Sequence, residues 1–305
     1  MSASLSVIVP IAITDANLVS STVAEADFDT WVVGTSYALG ARVVLGHRIY
    51  ESMRASNLGK DPRLDINRAS PTPWWQDVAP TNRYAMFDNE VSTQTTAMSS
   101  MTVVLRPGAF SAVFLAGLDA EQLEITIRES SGGTVIYHHI DGLEGSAPAD
   151  YLEYYYDRFK PATDFIVTGL DPFSASEITI TLSRTSGVVR CGVLTVGDLR
   201  PLGRTQYGAT AEPRSYSYIK TDEFGKTTIK KRKSAKDMTA SAVLDLAEAN
   251  SVLEILMETM GVPCVWIGTD IPEYAGLRTF GLGTGKVTFD IFNRANLSLT
   301  VQGLI

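Results

Sequence analysis

Strict alternation of apolar and polar residues constrains this chain more than any other feature. Leu123, Ile125 and Ile127 alternate with Glu124, Thr126 and Arg128, and Ile178, Ile180 and Leu182 alternate with Thr179, Thr181 and Ser183. Successive side chains of a strand point to opposite faces, so a period of two marks strands with one face buried. Turn residues separate these runs at Pro107 and Gly108, Gly132 and Gly133, Asp141 and Gly142, Asp171 and Pro172, and Ser186 and Gly187. Strands of this length at this spacing predict a β-sandwich, jelly-roll-like, over residues 89–202.

The flanking regions read differently. Residues 1–30 carry one apolar run (5–13) and are expected to form an N-terminal strand or arm. Residues 31–88 hold three of the four tryptophans, with Tyr37, Tyr50 and Tyr84, among Gly and Pro. Such a stretch has too little aliphatic content for an ordinary core and must pack with aromatic rings, bind through them, or both. Residues 203–305 predict an α+β domain with one helix packed on a sheet. Strand-like runs over 215–220 and 227–233 flank a turn sequence at 222–225, a hairpin signal. A helix is expected over 240–260, where Val243, Leu246, Ala247, Leu253, Leu256, Met257 and Met260 recur at three and four, ended by Gly261 and Pro263. Strands are expected again over 264–268, 287–292 and 297–301. The fold class is therefore mainly β: a small aromatic β module, a β-sandwich and a C-terminal α+β domain. Residues 151–159 fit a short helix or a strand equally.

Composition excludes several functions. The formal charge of -8 opposes general nucleic-acid binding, which needs a basic face. No run approaches the ~20 apolar residues that span a bilayer. The opening residues have no Lys or Arg before Arg42, and Pro10 breaks their apolar run, so no secretory signal is expected. Cys191 and Cys264 sit in apolar strand contexts and read as buried free thiols. Two isolated cysteines and three histidines, with His138 and His139 adjacent on a strand, supply no zinc site. No nucleophile elbow, zinc-protease, phosphate-loop or dinucleotide motif is present, and no carboxylate pair is placed for glycoside hydrolysis. No enzyme activity, catalytic residue, metal or cofactor is expected.

Three constellations remain. Trp31, Tyr37, Tyr50, Trp74 and Trp75 are candidate glycan contacts, because the C–H face of a pyranose packs on a flat aromatic ring. Trp31 and one of Trp74 and Trp75 are expected in the core of the module. In 81–88, Arg83 and Asp88 are expected to pair beneath Tyr84 and Phe87 and fix a joint between two β domains. On the C-terminal hairpin, Phe224 with Lys230, Lys231, Arg232 and Lys233 forms an apolar and cationic surface suited to docking on an acidic neighbouring subunit.

The spacing of Trp31, Tyr37, Gly40, Val43, Tyr50, Gly59, Pro62, Pro73, Trp74 and Trp75 resembles small chitin- and cellulose-binding modules of the family-5/12 type. It departs from them in a long insertion between Tyr50 and Trp74. With 81–88, the region 5–200 also resembles tailed-bacteriophage virion proteins that carry such a module before a β-sandwich. The sandwich resembles galactose-binding-type jelly rolls. The last domain resembles the ring-forming domain of tail tube, distal tail and hub proteins, with its packed helix and protruding hairpin. The resemblance implies a virion structural protein at the distal tail, made in the host cytoplasm. Its implied partners are further copies of itself in a symmetric ring, other phage tail proteins and host cell-surface glycan. Neither sequence-specific nucleic-acid binding nor membrane insertion is expected. A soluble, lectin-like carbohydrate-binding protein is the alternative.

Overall fold

A computed structural model describes residues 4–69, 71–143, 151, 155 and 161–305. Its fold is mainly β, with one helix of ten residues, Ala249–Glu258, packed on a sheet. The largest sheet has nine strands in the order Asp164–Thr168, Ala112–Ala116, Val193–Thr205, Ser4–Pro10, Cys264–Ile267, Arg278–Ile291, Arg294–Gly303, Ser234–Asp245 and Thr210–Ser215. Arg204 and Thr205, at the end of the long third strand, also pair with Val243 and Ala242. That second pairing closes the six strands from Val193–Thr205 round to Ser234–Asp245 into a barrel.

The barrel is filled from its walls by Leu5, Leu202, Ala242, Trp266 and Leu299 among others, with Ala249, Val252 and Leu256 of the helix packed on them. Trp266 is fully buried, and its Nε1–H donates to the Gly281 carbonyl at 3.0 Å. A Cβ at Gly283 would lie 2.1 Å from the indole, so only glycine lets the strand pass this ring.

The second sheet has the order Val135–Gly142, Gln122–Arg128, Glu177–Cys191, Thr95–Leu105 and Leu18–Ser21. Leu123, Ile125, Ile127, Ile178, Ile180 and Leu182 are buried against Val113, Leu115, Leu194 and Val196 of the large sheet. The period-two residues thus face inward in a sandwich. Cys191 and Cys264 are buried free thiols, and burial pushes both up to about 12.

The connections are nested rather than serial. Pro10 pairs with Gly197, so residues 11–192 form an excursion between two adjacent antiparallel strands of the large sheet. Inside it, Leu18–Ser21 pairs with Thr95–Leu105, so residues 22–94 are a second excursion within the first. Within the region expected to form an N-terminal strand or arm, Ser4–Pro10 is a central barrel strand, and the boundary expected at 202/203 falls inside a strand that both units share.

The expected helix over 240–260 needs correction in its first half. Residues 234–245 are a strand, with Met238, Ala240, Ala242 and Leu244 buried at alternate positions. The small alanines there add little to an apolar count, while Val243, Leu246 and Ala247 happen to fit a helical spacing. On the true helix the buried residues are Ala249, Val252 and Leu256; Leu253 and Met257 face solvent, as do Leu246 before it and Met260 after it. The ambiguous segment 151–159 lies outside the described residues apart from Tyr151 and Tyr155.

Candidate interaction surfaces

The aromatic module is built on a three-stranded sheet, Arg42–Leu45, Arg48–Ser52 and Trp75–Pro80, with a small pair Ser36–Tyr37 and Asn57–Leu58. Val43, Tyr50 and Trp75 form its buried core, and Trp31, Tyr37, Leu45 and Trp74 pack on them half-buried. Tyr37 meets Trp75 edge-on at 5.4 Å between ring centres. The Trp75 Nε1–H donates to the Lys60 carbonyl at 2.6 Å, and the Tyr37 hydroxyl accepts the Val32 N–H at 2.7 Å. Tyr50 and Trp75 are therefore packing residues and cannot stack on a sugar in this conformation. Trp31, Tyr37 and Trp74 keep partial exposure. Trp74 is approached by two cations, the Arg54 guanidinium 4.6 Å and the Lys60 ammonium 5.3 Å from the ring centre.

Residues 81–88 join the module to the sandwich, with partners other than those expected. Arg83 donates to the Val23 carbonyl at 2.9 Å and lies 3.8 Å from Glu25, so the pair is Arg83–Glu25 and not Arg83–Asp88. Asn82 exchanges hydrogen bonds with the Thr96 backbone, and Met86 is buried in the sandwich core. Tyr84 meets Phe87 edge-on at 6.1 Å and stacks on His47 at 4.0 Å. The carboxyl group of Asp88 accepts the Glu90 N–H at 2.8 Å. Its burial, with the charge of Glu90 beside it, pushes Asp88 up to about 6.

His47 organises this joint. Gly46 and His47 form the two-residue turn between Arg42–Leu45 and Arg48–Ser52, both at positive φ (58° and 63°). A two-residue hairpin of this kind needs positive φ at both central positions, which histidine tolerates better than most residues. The turn aims the imidazole between two carboxylates of the N-terminal segment, with Nδ1 2.8 Å from Glu25 and Nε2 3.0 Å from Asp15. Both ring nitrogens face carboxylate acceptors, so both contacts are hydrogen bonds only in the imidazolium form, where each nitrogen carries a hydrogen. Burial works against that charge, but the hydrogen bonds and charges of Glu25 and Asp15 outweigh it and raise the His47 pKa. Thr81 Oγ1 also donates to Glu25 at 2.7 Å, and the Tyr84 hydroxyl donates to Asp15. A cleft of about 590 Å³ opens beside the joint, with Asp15, Tyr84, Asp88 and Glu90 in its walls.

The third surface is the hairpin Tyr218–Thr221 and Thr227–Lys230, a separate two-stranded sheet whose strand residues are all exposed. Asp222 caps its turn by accepting the N–H groups of Phe224 and Lys226, and Gly225 takes the left-handed position (φ 77°). Phe224 is 94% exposed, and Lys230, Lys231, Arg232 and Lys233 are exposed with it.

Sequence reasoning did not single out Asp15, Glu25 or His47, which lie far apart in the chain; the Gly46-His47 pair between two apolar runs is the one local sign of the turn. It also missed the exposed apolar side of the helix, where Leu253 and Met257 lie one turn apart and Met260 follows just past the helix end. No protein-family model matches the chain, and no curated protein matches its sequence. Among the described residues, no group of His, Cys, Asp and Glu side chains is placed to hold a metal ion, and no helix is long and apolar enough to cross a membrane.

Proposed function

We propose that this chain is a non-enzymatic structural component of the distal tail of a tailed bacteriophage. It assembles with itself into a symmetric ring and with other tail proteins, while the aromatic module projects from the assembly with host surface glycan as a further contact. The observation that carries this reading is the exposed hairpin projecting from a closed barrel. A two-stranded hairpin is marginal on its own in water, and Ile219, Phe224 and Ile229 leave it with solvent-facing apolar area that a neighbouring subunit would cover. Closed cyclic symmetry is the usual outcome for identical subunits. The packing of Tyr50 and Trp75 inside the module supports a structural use of its aromatic residues.

Electron microscopy of phage particles carrying a labelled copy tests the reading. Density in a ring at the distal tail is expected; label on the capsid, or no copies in virions, overturns it. The partial exposure of Trp31 and Trp74 favours a second reading, a lectin-like glycan binder. Glycan-array binding that is lost in Trp74→Ala would support that one.

A further inference from the structure

We infer that the hairpin of one copy docks on the outer face of the helix Ala249–Glu258 of a second copy, head to tail. The inference rests on the ring reading above and names the two surfaces that meet. The donor surface combines charge and apolar area. Segment 216–233 holds Lys220, Lys226, Lys230, Lys231, Arg232 and Lys233 against only Asp222 and Glu223. Among the described residues none of these six cations is in an ion pair, and Tyr218, Ile219, Phe224 and Ile229 are exposed beside them.

The acceptor surface has the opposite sign and the same apolar character. Segment 238–277 contains six carboxylates and no Lys, Arg or His. Glu254 and Glu258, one turn apart on the helix, are exposed, as are Asp245 and Glu248 just before it. Next to them Leu253 and Met257 stand 41% and 65% exposed one turn apart on the helix, and Met260, just past its end, is 75% exposed. Apolar side chains in that register form a stripe along one helix face. Methionines suit such a contact because their unbranched side chains adapt to the surface they meet.

Three arguments select a second copy and the head-to-tail arrangement. Within one chain neither surface covers the other, since both stay exposed. A two-fold contact of hairpin on hairpin would set six cations against six, and helix on helix would set carboxylates against carboxylates, so like charges oppose both isologous pairings. Two different, complementary patches on one chain give a heterologous contact, which closes into a ring when the rotation per subunit permits.

Charge reversal on the full chain tests this, read by mass photometry and sedimentation velocity. Lys230→Glu with Lys231→Glu, Arg232→Glu and Lys233→Glu makes one variant; Glu254→Lys with Glu258→Lys makes the other. All six positions are exposed, and circular dichroism checks that each variant keeps its fold. Each variant alone should need at least about tenfold more protein to assemble, and the chain carrying both sets should assemble again. Assembly of either single-surface variant at the unaltered concentration overturns the docking and leaves the ring reading standing. Failure of the combined variant to recover likewise overturns the pairing of these two surfaces. A natural chain that stays monomeric at every concentration and salt overturns the ring reading itself, and the docking falls with it.

Discussion

The barrel and the aromatic module solve the same problem with different materials. The barrel buries aliphatic side chains contributed by strands distant in the chain, and its contacts are many and individually small. The core cluster of the module consists of Val43, Tyr50 and Trp75, so two of its three buried members are aromatic rings. Its rings also carry polar handles that hold backbone in place, Trp75 at Lys60 and Tyr37 at Val32. An aliphatic side chain of equal size could fill the space but could not tie down those loops. The barrel therefore spreads its stability over many residues, whereas the module concentrates it in few.

Four substitutions test that contrast. Trp266→Ala should have the largest effect, about 3–5 kcal/mol on the main unfolding transition, because the adjacent strand carries Gly283, which has no side chain to fill the space. Calorimetry would read it, and a shift of under about 1 kcal/mol would mean that the barrel is not a single cooperative core. Trp75→Ala removes a comparable volume, but its effect should be confined to the module. Amide exchange should rise throughout 31–80 while the main transition stays in place; a matching fall in that transition would show the two regions to be one unit.

His47→Gln acts on the joint between the two regions. The raised pKa of His47 gives stability that is full below its ordinary value near 6.5 and lost as pH rises through the higher folded value. Asp88, pushed up from 3.8 to about 6, acts in the same direction at lower pH: the fold opposes its ionisation, so its contribution falls between those two values and is flat above them. Asp15, held below its ordinary value by Tyr84 and His47, sets the acid limit. Attachment of the module should thus be firmest near pH 4, decline as Asp88 ionises toward pH 6, and weaken further as pH rises above about 6.5. Limited proteolysis across that range should show the trend in the natural chain and a flatter one in His47→Gln; identical profiles would remove His47 from the account. Arg54→Ala should have the smallest effect, about 0.5–1 kcal/mol on module stability, through loss of the cation over Trp74.

The same contrast explains what could be read from sequence. The sandwich was legible because Leu123, Ile125 and Ile127 alternate cleanly with polar residues. The hairpin was legible because 222–225 is a turn sequence between two short extended runs. Strand Ser234–Asp245 was not, because Ala240 and Ala242 are buried yet too small to mark a face by hydrophobicity. Nor was the barrel, whose closure rests on Arg204 and Thr205 meeting Val243 and Ala242, a pairing no local pattern announces. In the joint, Arg83 was recognised but its partner was not, since Glu25 lies beyond the whole module in sequence. Local periodicity reports a residue's own strand; nesting decides which strands meet.

Nesting also sets an order of events for the growing polypeptide. Strand Ser4–Pro10 is synthesised long before its neighbours Val193–Thr205 and Cys264–Ile267. Bringing residues so distant together unaided carries a loop-closure cost and slows folding. The sandwich can form earlier from residues already synthesised, and once formed it delivers Pro10 and Gly197 to the same place. The inserted unit would then serve as an internal chaperone for the barrel around it, shortening the search that its own insertion lengthened.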